Sequence, residues 1–178
     1  MSRIGKKPIV IPSDVIIQIK KNLISIQGPY GCLEKTILDC ISIEVVGAIL
    51  TVKRNLETKE VKAYHGLIRN LIANSVQGVK YGVTKILIAE GVGYKFQLKS
   101  DIITILAGFT HPITFKIPSD LTVALESPIK LKISGIDKEK VNLLASKIHN
   151  VKPPEPYKGK GIHYEGEKIL RKAGKTRK

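Results

Sequence analysis

Residues 152–164 read KPPEPYKGKGIHY, in which lysine and glycine alternate over residues 158–161 between Tyr157 and Tyr164. Lysine ammonium groups neutralise phosphates, and tyrosine rings offer faces on which nucleobases stack. Gly159 and Gly161 leave the backbone free to approach a surface closely. The prolines of residues 153–156 fix φ and remove amide donors, so neither a helix nor a central strand can run through them. The segment is predicted to be a stiff, extended connector that presents a basic run to a phosphate-rich partner.

The overall charge also indicates a polyanionic partner. The chain carries 30 Lys or Arg against 15 Asp or Glu, a formal net charge of +15, which is more than solubility requires. Residues 152–178 hold nine of these cations and only three acidic residues. A smaller cluster, Arg3, Lys6 and Lys7, lies near the start. Both ends are therefore predicted to be basic arms.

Catalytic and metal-binding patterns are weak. No serine or cysteine lies in a nucleophile motif, and no set of ligands has the spacing of a structural zinc site. The scattered candidates are His65, His111, His149, His163, Cys32 and Cys40. The cysteines are predicted to be buried free thiols, and His65 to be a tolerated helix residue. We expect no enzyme activity, cofactor, metal or small-molecule substrate.

Membrane association is not expected either. No apolar run approaches the roughly 20 residues that a spanning helix needs, and the start MSRIGKKP lacks the apolar segment of a signal peptide. Either a bacterial or an organelle-encoded product fits this sequence.

The first 82 residues are predicted to form a small α+β domain. Short β-branched segments are separated by turns too short for parallel crossovers, which favours one antiparallel sheet. The period changes at Thr58, and apolar residues then recur at helical spacing until Gly82. The predicted strands cover residues 15–20, 23–28, 33–38, 41–46 and 49–54, and the predicted helix covers 58–82.

Residues 83–178 repeat this order, which predicts a second copy of the same domain. Gly28 and Gly108, like Val61 and Val141, lie 80 residues apart, so strands and helix recur at one offset. The predicted strands cover residues 85–92, 94–99, 102–108, 113–117, 121–125 and 129–135, followed by a helix over 137–151. The fold class is α+β: two similar antiparallel-sheet domains, with an RNA-binding arm over residues 152–178.

The basic arm has three interpretations: a solvated charge run, a nucleic-acid-binding segment and a membrane-surface segment. The last is disfavoured because no amphipathic Lys/Arg helix with a bulky apolar face is evident. A solvated charge run would only aid solubility, but prolines, glycines, tyrosines and cations in one segment favour nucleic acid. Glycine-lysine flexibility suits irregular RNA better than a DNA groove, where a recognition helix is expected. The final segment could hold a short helix before Gly174, and its last residues are expected to order only on a partner.

Several segments resemble the bacterial-type ribosomal protein L6 family of the large subunit. The tail PPEPYKGKGIHYEGEKILRKAGKTRK is similar to the C-terminal signature of that family. The segments SRIGKKPIVIP, QGPYG, YHGLIRNLI, EGVGYK, FTHPI and GIDKEKV are similar to it in the same order. The resemblance covers essentially the whole chain and implies two similar α+β domains.

The resemblance further implies a structural protein that holds large-subunit ribosomal RNA near the sarcin-ricin loop, beside the site of translational GTPases, with ribosomal proteins as neighbours. The RNA-binding positions that it implies are Pro153, Glu155, Pro156, Tyr157, Lys158, Gly159, Lys160, Gly161, Tyr164, Arg171, Lys172, Gly174 and Lys175, with a second cluster at Gly91, Gly93, Tyr94, His111 and Pro112. The predicted RNA-binding set also includes Lys95, Lys152, His163, Arg177 and Lys178, together with Arg3, Lys6 and Lys7.

His163 departs from the family pattern, because arginine is common at that position. The implied location is the ribosome, in a bacterial cytoplasm or an organelle such as a plastid. The alternative hypothesis is a free basic protein that binds duplex DNA. Sedimentation with the large subunit would separate the two.

Overall fold

A computed structural model describes residues 3–175, and within that range the chain forms thirteen strands and two helices. The predicted α+β class is confirmed. By compactness, the residues up to Val83 form one unit together with Ile136–Lys138, and Thr84–Gly135 with the residues from Glu139 onward form the other. The sequence-based division placed residues 136–138 in the second domain. They belong with the first because Ile136 packs against its core.

The first unit contains two small sheets and a long helix. The strands form two three-stranded sheets, in the orders β2-β3-β4 and β1-β6-β5, where one sheet was expected. All their pairs are antiparallel. The elements are β1 (Ile9–Val10), β2 (Ile16–Lys20), β3 (Leu23–Gly28), β4 (Gly31–Thr36), β5 (Ile41–Val46), β6 (Ile49–Arg54) and α1 (Lys59–Tyr81).

Local sequence explains where these elements turn and end. Lys21 and Gly47 take positive φ angles of 48° and 59°, as tight hairpin turns require. The hydroxyl of Thr58 accepts a hydrogen bond from the amide of Val61 and caps α1. Gly82, with φ of 68°, ends it.

The core of the first unit lies between one face of α1 and the strands. Alternate residues of β3, Ile24 and Ile26, are fully buried, whereas Gln27 is exposed. The helix contributes buried residues at three-and-four spacing: Val61, Ile68, Ile72, Val76 and Val79.

The second set of elements repeats the first. Its sheets have the orders β10-β9-β8 and β11-β12-β7-β13, so that β7-β12-β11 matches β1-β6-β5. The second helix buries Val141, Leu144, Ala145 and Ile148, the face that the sequence predicts. The elements are β7 (Val83–Glu90), β8 (Lys95–Lys99), β9 (Ile102–Leu106), β10 (Ile113–Lys116), β11 (Leu121–Ser127), β12 (Lys130–Gly135), α2 (Lys138–His149) and β13 (Gly161–Tyr164).

The last strand has no counterpart in the first unit and was not predicted. β13 pairs antiparallel with β7, with Gly161 opposite Glu90 and Tyr164 opposite Leu87. Ile162, in its middle, is fully buried. Part of the predicted arm is therefore a strand of the second unit. The short helix expected before Gly174 was wrong, because residues 167–175 form neither helix nor strand.

Within residues 3–175, no helix is both long enough and apolar enough to cross a membrane.

Candidate nucleic-acid interface

Residues 152–160 form a closed loop, which we call the basic loop, where an extended connector was expected. The amide of Ile162 donates to the carbonyl of Lys152 at 2.7 Å and closes its base. Inside it, the amide of Glu155 donates to the carbonyl of Lys160 at 2.8 Å. The amide of Gly159 donates back to the carbonyl of Glu155 at 2.9 Å. The prolines turn the chain out of α2, and these bonds bring it back to β13.

The two glycines of the KGKG run serve the packing of the loop itself. Gly161 is buried with φ of 151°, and a Cβ there would lie 2.6 Å from Cα of Pro154. Gly159 is buried beside a guanidinium group, and its Cβ would lie 3.0 Å from Nη2 of Arg171. Neither glycine exposes its backbone in the way the sequence suggested. Side chains of the loop are what a partner can reach.

The basic loop exposes cationic and aromatic side chains, beside the exposed Pro153, Glu155 and Pro156. Lys158 and Lys160 are exposed, and the side chain of Tyr157 between Pro156 and Lys158 is 55% exposed. The tail lies beside them, since the amide of Lys172 donates to the carbonyl of Pro156 at 2.8 Å. Lys158, Lys160 and the ring of Tyr157 thus lie on a surface next to the segment around Lys172.

The carboxylate of Glu90 lies close to two basic side chains, His163 of β13 and Arg171. Nε2 of His163 lies 3.5 Å from one carboxylate oxygen, and Nη2 of Arg171 lies 3.9 Å from the other. Nδ1 of His163 donates to the carbonyl of Tyr164 at 3.0 Å. His163 therefore faces its own protein, and its side chain is only 13% exposed. Sequence reasoning included Glu90 in the segment EGVGYK but assigned it no role.

Tyr164 is also engaged within the protein. Its ring stacks on His149, with centroids 5.1 Å apart and planes at 12°. Burial raises the pKa of its phenol, and the carboxylate of Glu167 acts in the same direction. The amide of Tyr164 donates to Glu167 Oε2 at 2.9 Å, which ties the turn after β13 to the strand.

An ion pair also holds that turn. Nζ of Lys130 lies 2.9 Å from Glu165 Oε1, and this hydrogen bond raises the pKa of the Lys130 ammonium. Both side chains are at least one-third exposed, so the pair contributes orientation more than stability.

The second predicted cluster lies next to the basic loop. The ring of Tyr94 packs over Gly91 and Gly108, where a Cβ would lie 2.9 Å and 3.2 Å from ring carbons. Nζ of Lys152 lies 5.3 Å from the centroid of the Phe109 ring. The loop 107–112 therefore meets the start of the basic loop through Phe109, and Tyr94 of the loop 91–94 packs on Gly108. Gly93, Lys95, His111 and Pro112 of this cluster are exposed.

The remaining predicted tail residues have simpler surroundings. Pro153, Glu155, Pro156, Gly174 and Lys175 are exposed. Arg177 and Lys178 lie outside the described residues.

The N-terminal cations belong to the first unit. Arg3, Lys6 and Lys7 are exposed. Their turn is fixed from beneath, because Arg69 donates to the carbonyls of Lys7 and Pro8 at 3.0 Å and 3.2 Å. Sequence reasoning missed this role of Arg69.

His65 supports the same turn from the helix. It is 3% exposed, and its Nε2 donates to the carbonyl of Val52 at 2.8 Å. A Cβ on Gly5 would lie 2.4 Å from Nδ1 of His65, so the chain passes directly over the ring. His65 is thus a core residue with a hydrogen-bonded ring, not merely a tolerated helix position.

Metal binding finds no support in the described part of the chain, where no three His, Cys, Asp or Glu side chains are grouped to hold an ion. Both cysteines are free, but Cys32 is exposed where a buried thiol was expected. It lies on β4, on which exposed and half-buried residues alternate.

The repeated α+β units and the ordered basic loop define a basic α+β protein built from two similar units. A family model described as ribosomal protein L6 matches residues 11–82 and 90–165. Relatives named large ribosomal subunit protein uL6, from Pelobacter propionicus, Geobacter sulfurreducens and Dictyoglomus turgidum, are 43%, 44% and 46% identical. Each comparison covers 100% of this chain and 99% of the relative.

The chain belongs to the ribosomal protein L6 family. This confirms the resemblance described above. It also confirms the prediction of a structural ribosomal protein and not an enzyme, because the family is a non-enzymatic component of the ribosome.

Proposed function

We propose that this protein is a structural constituent of the large ribosomal subunit that binds ribosomal RNA near the sarcin-ricin loop, beside the site of translational GTPases. The observation that carries RNA binding is the basic loop, which presents Lys158 and Lys160 on a hydrogen-bonded frame. The names of the relatives support assignment to the large ribosomal subunit. The C-terminal signature supports the location, because the L6 family that it resembles is placed there.

The proposed mechanism is electrostatic. Each lysine that contacts a phosphate releases condensed counterions, which makes binding strongly salt-dependent. The frame of the loop is already formed, so less ordering entropy opposes binding than for a free tail. The cluster around Tyr94 would add RNA contacts that involve fewer charged groups. Neighbouring ribosomal proteins would add protein contacts.

A charge-neutralised variant tests the basic loop. Replacing Lys158 and Lys160 of the basic loop, together with Lys172 of the segment bonded to it, with Gln should weaken binding to an RNA fragment that carries the sarcin-ricin loop. The slope of log K against log salt should fall by about one for each lost phosphate contact. The matched control replaces three exposed lysines elsewhere, Lys20, Lys99 and Lys116, and removes the same charge. Equal losses in both variants would reject a specific role for the basic loop.

Two further measurements test the partner and the place. Co-sedimentation with the large subunit in moderate salt is expected, and equal affinity for duplex DNA would contradict the proposal. Chemical footprinting should show protection beside the sarcin-ricin loop. Protection only at other RNA segments would reject the location while leaving RNA binding in place.

A further inference from the structure

We infer that Tyr157 is a stacking platform for one unpaired base, so that the basic loop recognises a nucleotide whose base is free of the helical stack. This inference rests on the proposed function and names the kind of RNA feature that the same surface takes. A site of this type needs a free ring, a fixed ring position and cations within reach of the flanking phosphates.

The two tyrosines that bracket the basic run have different roles. Tyr164 is half-buried and stacks on His149. Tyr157 is 55% exposed, and among residues 3–175 its side chain has no hydrogen bond, ion pair or ring contact. A large aromatic side chain that is held out of the core without a partner has exposed ring surface available for stacking.

The position of Tyr157 is fixed by its neighbours. Pro156 restricts φ on one side, and its carbonyl accepts the amide of Lys172 at 2.8 Å. On the other side, the amide of Gly159 donates to the carbonyl of Glu155 across the turn. The backbone beneath the ring is therefore set before RNA arrives, and stacking orders little beyond two side-chain torsions.

The neighbouring charges define the ligand class. Lys158 follows the ring directly, and Lys160 lies two residues further on, both exposed. This combination suits a nucleotide, with the base on the ring and its phosphates near the ammonium groups. Bases inside a duplex are already stacked, so the ring selects loops and bulges, with little preference among the four bases.

The test compares two RNA probes and three variants of the full chain. The probes are a hairpin carrying the sarcin-ricin loop, with 2-aminopurine at unpaired positions, and a fully paired duplex of equal length. Tyr157→Ala and Tyr157→Leu should weaken hairpin binding about 5- to 150-fold, because one stacked base contributes that range of affinity. Tyr157→Phe should retain most of it. None of the three should change the salt slope or duplex binding.

Fluorescence and control variants separate the outcomes. Stacking should quench 2-aminopurine with the wild type and Tyr157→Phe, but not with Ala or Leu. Tyr81→Ala, which removes an exposed ring from the first unit, should change neither readout. Hairpin affinity reduced less than twofold in Tyr157→Ala, or equal losses on hairpin and duplex, would overturn the inference while the lysine variant still tests RNA binding. Failure of the wild type to bind either RNA would overturn both proposals.

Discussion

Individual side chains of β13, those of His163 and Tyr164, hold this strand against the rest of the second unit. The Tyr164 ring stacks on His149 at the end of α2, and His163 on the same strand faces Glu90 of β7. Burial among these groups raises the pKa of the Tyr164 phenol. The residues nearest the basic loop therefore hold it in place, which leaves the side chains that project from the loop free for the proposed RNA contacts.

Tyr164 should make stability depend on alkaline pH. Its folded-state pKa is raised above the ordinary value of 10.0, so the folded state holds the phenol proton more tightly than the unfolded chain does. The resulting stability is fully present below the unfolded-state pKa and is lost as pH rises through the folded-state pKa. From about pH 9 to 11, the free energy of unfolding should fall further for the wild type than for Tyr164→Phe. Urea unfolding at each pH measures this difference.

The control is Tyr81→Phe, which alters a 68% exposed ring and should follow the wild type across the range. Parallel curves for the wild type and Tyr164→Phe would mean that burial does not hold the Tyr164 proton.

Sequence alone identified the cations and both tyrosines of this region but could not separate their roles. Lys158 and Lys160 are exposed as their charge predicts, because burying an ammonium group without a partner is costly. Whether a tyrosine is free depends on tertiary packing. Tyr164 is covered because β13 places it against α2, and nothing in GIHY alone indicates that pairing.

At the scale of elements, strand β13 supports the basic loop. It pairs with β7 as the fourth, outermost strand of its sheet, and Ile162 in its middle is completely buried. The loop can close because Gly161, the first residue of β13, has no side chain and packs directly against Pro153 and Pro154. Loop and strand therefore form one structure.

Replacing Gly161 with Ala should disrupt the packing of the basic loop against the start of β13. The φ of 151° favours glycine, and the new methyl group would lie 2.7 Å from the carbonyl oxygen of Pro153. We expect a loss of about 1–3 kcal/mol in the free energy of unfolding, measured in urea. Gly174→Ala is the matched control, because nothing lies within 4 Å of its Cβ position. A Gly161→Ala protein as stable as the control would show that this close approach is not needed.

The elements that sequence reasoning found and missed differ in length. β3 and α1 were predicted with nearly their observed bounds, because six alternating residues and a helix of 23 residues carry clear periodicity. β1 has two residues and β13 has four, too few for a period to be recognised. Both are specified by the partner strand, which lies far away in sequence.

At the scale of the whole molecule, the chain is a duplication with one addition. The sheet order β1-β6-β5 recurs as β7-β12-β11, and the family model matches the two halves separately. β13 and the basic loop occur only after the second helix. The repeat was visible in the sequence at an 80-residue offset, but the addition was interpreted as a separate arm because its strand was missed.

That difference changes what truncation should do. If residues 152–178 were an independent arm, their removal would leave the second unit folded. Because Ile162 is fully buried and β13 pairs with β7, a chain ending at residue 151 should lose about 2–3 kcal/mol from Ile162 alone. Backbone amides of residues 83–90 should then exchange with solvent much faster.

A chain ending at residue 167 keeps β13 and Glu167, and should retain that protection while binding RNA more weakly because Arg171 and Lys172 are absent. Hydrogen exchange measured by mass spectrometry on both truncations, beside the full chain, makes the comparison. Equal protection of residues 83–90 in all three proteins would show that the C-terminal segment is an appendage after all.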